Sequence, residues 1–323
     1  MRKTNRVAGL VAGLMLATAA AAQSPKPIKI GVASSGGTTL PALVISQQKL
    51  DLKHGLRIEW VRLDQAALQR AFALRQFDVS FAEVALDLIR TRAKGEKVKS
   101  FYAGIMANVY GLVKKDAPYR TLADLKGRKI GVYSLTSGST AAIVKLLRDG
   151  SRLDLRKDFE VVVGPPPALA ALLQKGEIEG MVNVDPLVLR LLEGGDYRQI
   201  LDADRDWQKM TGARLLVTTL AAWEDYMTKN PDDIRRLVRA YREAVEAIAR
   251  DPQIYVSTGF IKASGLKETP ETVKAFAERF GPLYTAKWDQ ALVNANRAVF
   301  DVAVEMGNLE SVPADWYTFE FAN

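Results

Sequence analysis

The chain has 323 residues, no cysteine, one histidine and a formal net charge of +8, with 48% hydrophobic and 25% charged residues. That balance is ordinary for a globular protein, and at roughly 150 residues per domain the length suggests two domains. Without cysteine there is no disulfide, thiol nucleophile, iron–sulfur cluster or thiolate zinc site, and the single histidine, His54, rules out a two-imidazole metal site and argues against a histidine-based triad.

Residues 1–22 read as a secretory signal peptide. Arg2, Lys3 and Arg6 precede a charge-free apolar stretch from Val7 to Ala22 that closes on Ala20-Ala21-Ala22. Cleavage is expected after Ala22, which places the mature protein in the periplasm. The apolar stretch is 16 residues long, short of the ~20 that span a bilayer; an uncleaved anchor is the alternative. Cleavage removes three basic residues and leaves 42 basic against 37 acidic. The remaining charges are mixed in sign, with no basic run interleaved with aromatics, so no nucleic-acid partner is expected.

From Ile28 onward strands and helices alternate. Ile28, Ile30 and Val32 mark a first strand, the polar loop Ser34-Ser35-Gly36-Gly37-Thr38-Thr39 follows, and Leu40 to Leu50 reads as a helix. Leu56, Ile58 and Trp60 mark a second strand. Asp64 caps a helix carrying Leu68, Ala71, Phe72 and Arg75. Asp78 to Phe81 is a third strand and Ala82 to Lys94 a helix. This alternation predicts a parallel α/β sheet. A second unit starts at Thr121, with Asp124 in capping-box position. It continues through a strand at Lys129–Tyr133, the loop Ser134-Leu135-Thr136-Ser137-Gly138-Ser139-Thr140 and a helix to Leu147. A strand at Glu160–Val163, the breaker Pro165-Pro166-Pro167, a helix at Ala168–Lys175 and a strand at Gly180–Val184 complete it, ending at Asp185-Pro186.

The last third is helical. Asn230-Pro231 reads as an N-cap with proline at the first helical position. Ile234, Leu237, Val238, Tyr241, Val245 and Ile248 then fall on one face. Thr269-Pro270 opens a helix with Val273, Phe276 and Phe280 inward, and Trp288, Leu292, Val299 and Val302 belong to another. Asn108–Lys114 and Ala213–Thr219 read as strands crossing between the units. The first domain is then discontinuous, 28–110 and 216–323, with 111–215 inserted, and two hinges across a cleft are machinery for ligand-driven closure.

Four stretches, taken in order, resemble one family. Thr121 to Val132 (TLADLKGRKIGV) is similar to the "DLKGKkIgv" signature of periplasmic solute-binding proteins. Phe77-Asp78-Val79-Ser80 resembles the step before the first-domain pocket helix. Gly138-Ser139-Thr140 resembles the start of the pocket helix in the inserted domain, and Ala168 to Pro186 resembles the segment leading to an acidic-proline pair. Together they resemble the sulfonate/nitrate/taurine group of ABC-transporter solute-binding proteins, which also includes binders of thiamine-pyrimidine precursors. The similarity runs from about Ile28 to Ile248. It implies a two-lobed periplasmic-binding-protein fold, type II-like, that closes over a small solute and hands it to a membrane permease. Two positions depart from the pattern: Gln76-Phe77 stands where a glycine is usual, and Asn183-Val184 lacks a tryptophan that helps wall the ligand.

In such a sheet ligands sit at the carboxyl ends of strands beside helix N-termini, where free backbone N–H groups favour an anionic group. Candidate ligand-binding residues are therefore Ser34, Ser35 and Gly36 after the first strand, and Ser137, Gly138, Ser139 and Thr140 in the inserted unit; the alternative for each loop is an ordinary cap. Glu83, Asn183 and Asp185 lie at the ends of the third strand and of the strand at 180–184. Two acids beside two anion-friendly helix ends suit a zwitterion or a heteroaromatic amine. Glu83 has a first-turn helix charge as its alternative, and Asp185 a cap for a helix at Pro186. Tyr110 and Tyr133 read as core or hinge packing, with stacking on a flat solute as the alternative. Arg214 could pair an anion, and His54 reads as a surface turn residue.

The leading reading is a monomeric, non-enzymatic transport receptor with no cofactor and no metal. There is no GxxxxGK[ST] motif, so ATP hydrolysis belongs to another chain. A sensor input for a membrane kinase is the alternative, and an enzyme on the same fold is a third. Relatives that make a thiamine pyrimidine use a sacrificial histidine and a cysteine-rich motif, and this chain has no cysteine.

Overall fold

The computed structural model describes residues 27–285 and 287–322; the expected signal peptide lies outside them. The chain runs β1 (Ile28–Ala33), α1 (Thr39–Gln47), α2 (Leu50–Lys53), β2 (Ile58–Leu63), α3 (Gln65–Ala73), β3 (Val79–Val84), α4 (Ala85–Ala93) and β4 (Val98–Ala103). It continues with β5 (Val109–Lys114), β6 (Lys129–Val132), α5 (Gly138–Ser151), β7 (Glu160–Val163), α6 (Pro166–Lys175), β8 (Gly180–Val184), α7 (Leu187–Glu193), β9 (Tyr197–Asp202) and α8 (Ala203–Thr211). It returns through β10 (Thr218–Trp223) to α9 (Glu224–Lys229), α10 (Pro231–Arg250), α11 (Ile254–Ser257), α12 (Phe260–Ala263), α13 (Pro270–Phe280) and α14 (Gln290–Glu305).

Two five-stranded sheets result, ordered β2-β1-β3-β10-β4 and β7-β6-β8-β5-β9. The predicted parallel sheet is corrected to a mixed one. In each sheet the first three strands are parallel, while the fourth runs antiparallel to both neighbours. The physical reason is the route of the chain. Helical crossovers enforce parallel pairing, whereas β5 and β10 each enter their sheet from the other one, against the grain.

The two crossings lie side by side. Gly104 N–H donates to the Thr218 carbonyl at 2.9 Å, Val217 N–H to Ile105 O at 3.1 Å and Ala107 N–H to Leu215 O at 2.8 Å. A Cβ on Gly104 would sit 2.8 Å from the Thr218 carbonyl oxygen, so the approach of the strands requires glycine there. Asn296 of α14 accepts from Leu216 N–H at 2.7 Å and donates to Arg214 O at 2.9 Å.

Sequence signals explain most local boundaries. Asp64 and Ser137 accept from Ala67 and Thr140 N–H groups as N-caps, and Thr121 and Asp124 form the expected capping box. The expected Asn230 cap is corrected: its side chain donates back to Tyr226 O at 3.1 Å, and Pro231 alone sets the start of α10. The proline run does not break the chain but opens α6 at Pro166, because the first turn needs no N–H there. The α10 stripe expected to be core is buried in full. Phe77, the departure from the family pattern, is core too. Its ring stacks on Phe72 at 5.9 Å and presses on Gly31, where a Cβ would meet it at 2.2 Å. Helix α14 packs along α5, and the residues after it return to the edge of the first sheet, where Tyr317 bridges Ser100.

Candidate functional site

The carboxyl ends of β1, β3, β6 and β8 carry the predicted residues. Ser34 and Ser35 are exposed and Gly36 half-buried. Gly36 has φ +83° with open space where a Cβ would stand, so the turn requires glycine and leaves backbone accessible. The next residue is held firmly: Tyr284 OH donates to Gly37 O at 2.7 Å.

In the other lobe Ser137 Oγ accepts from Thr140 N–H at 3.1 Å, and Thr140 Oγ1 donates to Ser134 O at 2.5 Å. Thus Ser137 and Thr140 do serve as caps. A Cβ on Gly138 would lie 3.7 Å from Leu86 Cβ of α4 and 3.9 Å from Val299 of α14. The start of α5 therefore faces the first lobe. Arg90 of α4 donates to Thr136 O at 2.5 Å and to Asn308 O at 3.0 Å, and Asn308 donates to Leu135 O at 2.9 Å. These contacts close the lobes over the 134–138 loop.

Glu83 lies inside β3, one residue before its end, not in the helix beginning at Ala82 that the sequence suggested. Two steps along β10, from Thr219 to Ala221, face three along β3, from Glu83 to Ser80. Such a bulge re-aims side chains, and it brings Glu83 beside Ser80 and Gln69, which hydrogen-bond its carboxyl. Its residue exposure is 2%, and among the described residues Oε2 has no hydrogen-bond partner. Burial, and then the charge of Asp87, push the carboxyl well above the ordinary glutamate range.

Asn183 is fully buried in β8. Its amide donates to Pro166 O at 3.1 Å and its carbonyl accepts from Val184 N–H at 2.9 Å, so it serves the strand–helix junction. Asp185 is 2% exposed. Its Oδ1 accepts from Leu189 N–H at 3.0 Å, the capping role foreseen as its alternative, and Arg279 of α13 holds both oxygens, at 2.7 and 3.2 Å. Burial raises the Asp185 carboxyl against the pull of Arg279, whose guanidinium does not deprotonate in proteins.

The aromatic and basic candidates are also placed. The Arg279 guanidinium stacks 3.9 Å above the Tyr110 ring, a cation–π contact that makes this tyrosine a packing residue. Tyr133 packs half-buried against the smaller core cluster of the inserted lobe. Arg214 is held by Asp204, through Nε at 2.5 Å, and by Pro282 O at 2.7 Å. His54 pairs with Glu243 at 2.9 Å near the surface. Arg279, Arg90 and Asn308 were missed in the sequence. The one available signal was a charge, Arg279, beside the apolar stripe of Phe276 and Phe280.

Two α/β lobes of equivalent strand order, joined by paired crossings and facing each other through loops at their strand ends, define the two-lobed periplasmic-binding-protein class. The chain belongs to the NMT1/THI5-like family, whose sequence pattern matches residues 53–254. A relative in Brucella abortus, 22% identical over 301 residues and 91% of each chain, carries the provisional name of a binding protein. Among solved structures, the periplasmic aliphatic sulphonate-binding protein SsuA from Escherichia coli is similar with a TM-score of 0.75, at 19% identity over 90% of each chain. The periplasmic nitrate-binding protein NrtA from Synechocystis PCC 6803 is similar at 0.66, with 14% identity over 89% of this chain and 83% of that one. The desulfurization enzyme DSZB is similar at 0.64, with 17% identity over 92% and 98%.

Proposed function

We propose that the chain is the solute-binding component of an ABC importer, acting in the periplasm as a monomer and delivering a small solute to a membrane permease. The reading is carried by one observation: two lobes of equivalent strand order are joined by paired crossing strands, and the start of α5 in one lies against α4 of the other. Membership of the family and the likeness to sulphonate- and nitrate-binding proteins support it. The solute is met by Ser34, Ser35 and Gly36 from one lobe and by the α5 start at Ser137–Thr140 from the other. Contact with both lobes is what lets binding free energy drive closure. Glu83, buried at the end of β3 with its carboxyl raised by burial, lies beneath this face of the first lobe. Asp185, already held by Arg279, contributes no free charge to the solute. The domain boundaries follow the crossings, at about 104–108 and 212–217.

The DSZB likeness raises an enzyme on the same scaffold as a second reading. The absence of cysteine and the engagement of the lone histidine with Glu243 at 2.9 Å support a receptor instead. A thermal-shift panel of alkanesulfonates, taurine, nitrate, aromatic carboxylates and pyrimidines tests the proposal. A solute at ~100 times its dissociation constant adds about 2.7 kcal/mol, several degrees. The expected result is a hit recovered chemically unchanged after incubation. A solute converted by the protein, or no stabilisation across the panel, would overturn this reading.

A further inference from the structure

Helix α13 packs with the helices of the first lobe. Phe276 and Phe280 stack at 4.9 Å, and both meet Phe260 edge-on. From its last turn Arg279 crosses to the inserted lobe. It grips Asp185 at the end of β8 with two hydrogen bonds, at 2.7 and 3.2 Å, and Gln199 of β9 at 3.0 Å. Its guanidinium lies 3.9 Å above Tyr110 of β5. One side chain of the first lobe thus touches three strands of the second. Nearby, Thr272 Oγ1 donates to Glu193 at 3.2 Å, a single neutral-to-charged contact beside the bidentate one.

We propose that Arg279 is an interlobe latch: it holds the lobes shut before any solute arrives and so sets the open–closed balance on which solute affinity depends. Three features carry this. The fork geometry satisfies the guanidinium on both edges and on one face, which is the condition under which a shielded ion pair is net favourable. The Arg279 side chain is 18% exposed and that of Asp185 1%, so water screens the pair little. The contacts also tie the two lobes together beside the first crossing, where Asn108 hydrogen-bonds the Asp185 backbone at 3.2 and 3.3 Å. A protein that spends less time open captures solute less often and holds it longer, because the fraction of binding-competent molecules scales apparent affinity.

The chain lacks cysteine, so labels can be placed at will. Leu74 in the first lobe and Val163 in the second are exposed. Spin labels on Leu74→Cys and Val163→Cys report the interlobe distance by pulsed electron resonance in the absence of any solute. The expected result is one short-distance population in the parent and a longer one in Arg279→Gln, with the closed-to-open ratio falling about tenfold or more. Arg279→Lys, which keeps the charge but loses the fork, falls between them. Identical distance distributions in the parent and in folded Arg279→Gln overturn the latch. If the glutamine variant fails to fold, the lysine variant decides in the same way: a shift supports the latch, and an unchanged distribution overturns it. The latch rests on the two-lobed receptor reading, but its readout needs no solute, so the failure of one is told apart from the failure of the other.

Discussion

The two sheets follow one plan with different fillings. The second strand of each sheet carries Ile-Gly-Val, at 30–32 in β1 and 130–132 in β6. Each is flanked by parallel partners, and the reversed crossing strand lies beyond the third strand. An acid stands at the end of the third-position strand in both: Glu83 in β3 and Asp185 after β8. There the likeness stops. Asp185 has a guanidinium, a backbone N–H and a cap role. Glu83 has two neutral partners and one oxygen without any among the described residues. Equivalent places in a fold therefore do not imply equivalent partners. The partner set decides: burial raises both carboxyls, and only Asp185 has a cation that pulls back.

The largest test of that contrast is Asp185→Ala. Removing one member of a buried ion pair costs about 3–5 kcal/mol, and the low end is expected because opening the lobes lets Arg279 reach water. Asp185→Asn keeps the acceptor for Leu189 N–H and should lose clearly less. Urea midpoints of the two variants measure both values. Equal losses would mean that the charge, absent from both variants, matters and the cap, kept only by asparagine, does not.

Next come the two glycines. A Cβ on Gly31 would stand 2.2 Å from the Phe77 ring and 2.8 Å from Leu68, whereas on Gly131 it would meet the methyl ends of Ile178 and Leu169 at 2.8 and 2.9 Å. A rigid ring cannot give way as a methyl end can. Gly31→Ala should cost about 1–3 kcal/mol, the usual range for overpacking, and Gly131→Ala less than 1 kcal/mol. Matched losses in thermal unfolding would show the two cores to be equally stiff.

How far the sequence carries can be seen at these same residues. Alternating Ile28, Ile30 and Val32, the Thr121 capping box and the α10 stripe follow from local periodicity and turn chemistry, which a single segment contains. The direction of β10 does not, since it depends on where the chain comes from, more than a hundred residues after β3. Glu83 was placed at the right strand end but on the wrong element, because a bulge arises from a register between two strands. Arg279 was invisible for a similar reason: its partners Asp185, Gln199 and Tyr110 lie 80 or more positions away, and nothing local distinguishes a latch from a solvated arginine.

A smaller effect is expected at Glu83. Its folded-state carboxyl titrates above the ordinary glutamate value, through burial first and Asp87 second. Between the unfolded and the folded pKa the native state holds a proton that the unfolded state has lost. Stability therefore falls as pH rises through that window, by up to about 1.4 kcal/mol per pH unit. Glu83→Gln carries no such proton. It should change stability by no more than about 1 kcal/mol at low pH and gain on the parent as pH rises. Parallel pH–stability curves for the two proteins would mean that Glu83 is ionised in the fold, and the contrast with Asp185 would be lost.

The smallest effect belongs to the other closure point. Arg90 reaches the Thr136 and Asn308 carbonyls from the rim, with its side chain 28% exposed and paired to Asp87. Water can replace a guanidinium at those carbonyls, so Arg90→Ala should cost about 1 kcal/mol or less. The substitution has a second consequence that a rim contact alone would not produce. It leaves the Asp87 carboxylate without its cation, and Asp87 is the charge that, after burial, raises Glu83. The Glu83 titration should therefore move further up, and the pH-dependent loss of stability should extend to higher pH. An Arg90→Ala protein that loses as much stability as Asp185→Ala would make the two closure points equivalent. A Glu83 titration that stays in place would show that burial alone, and not its charged neighbour, raises that acid.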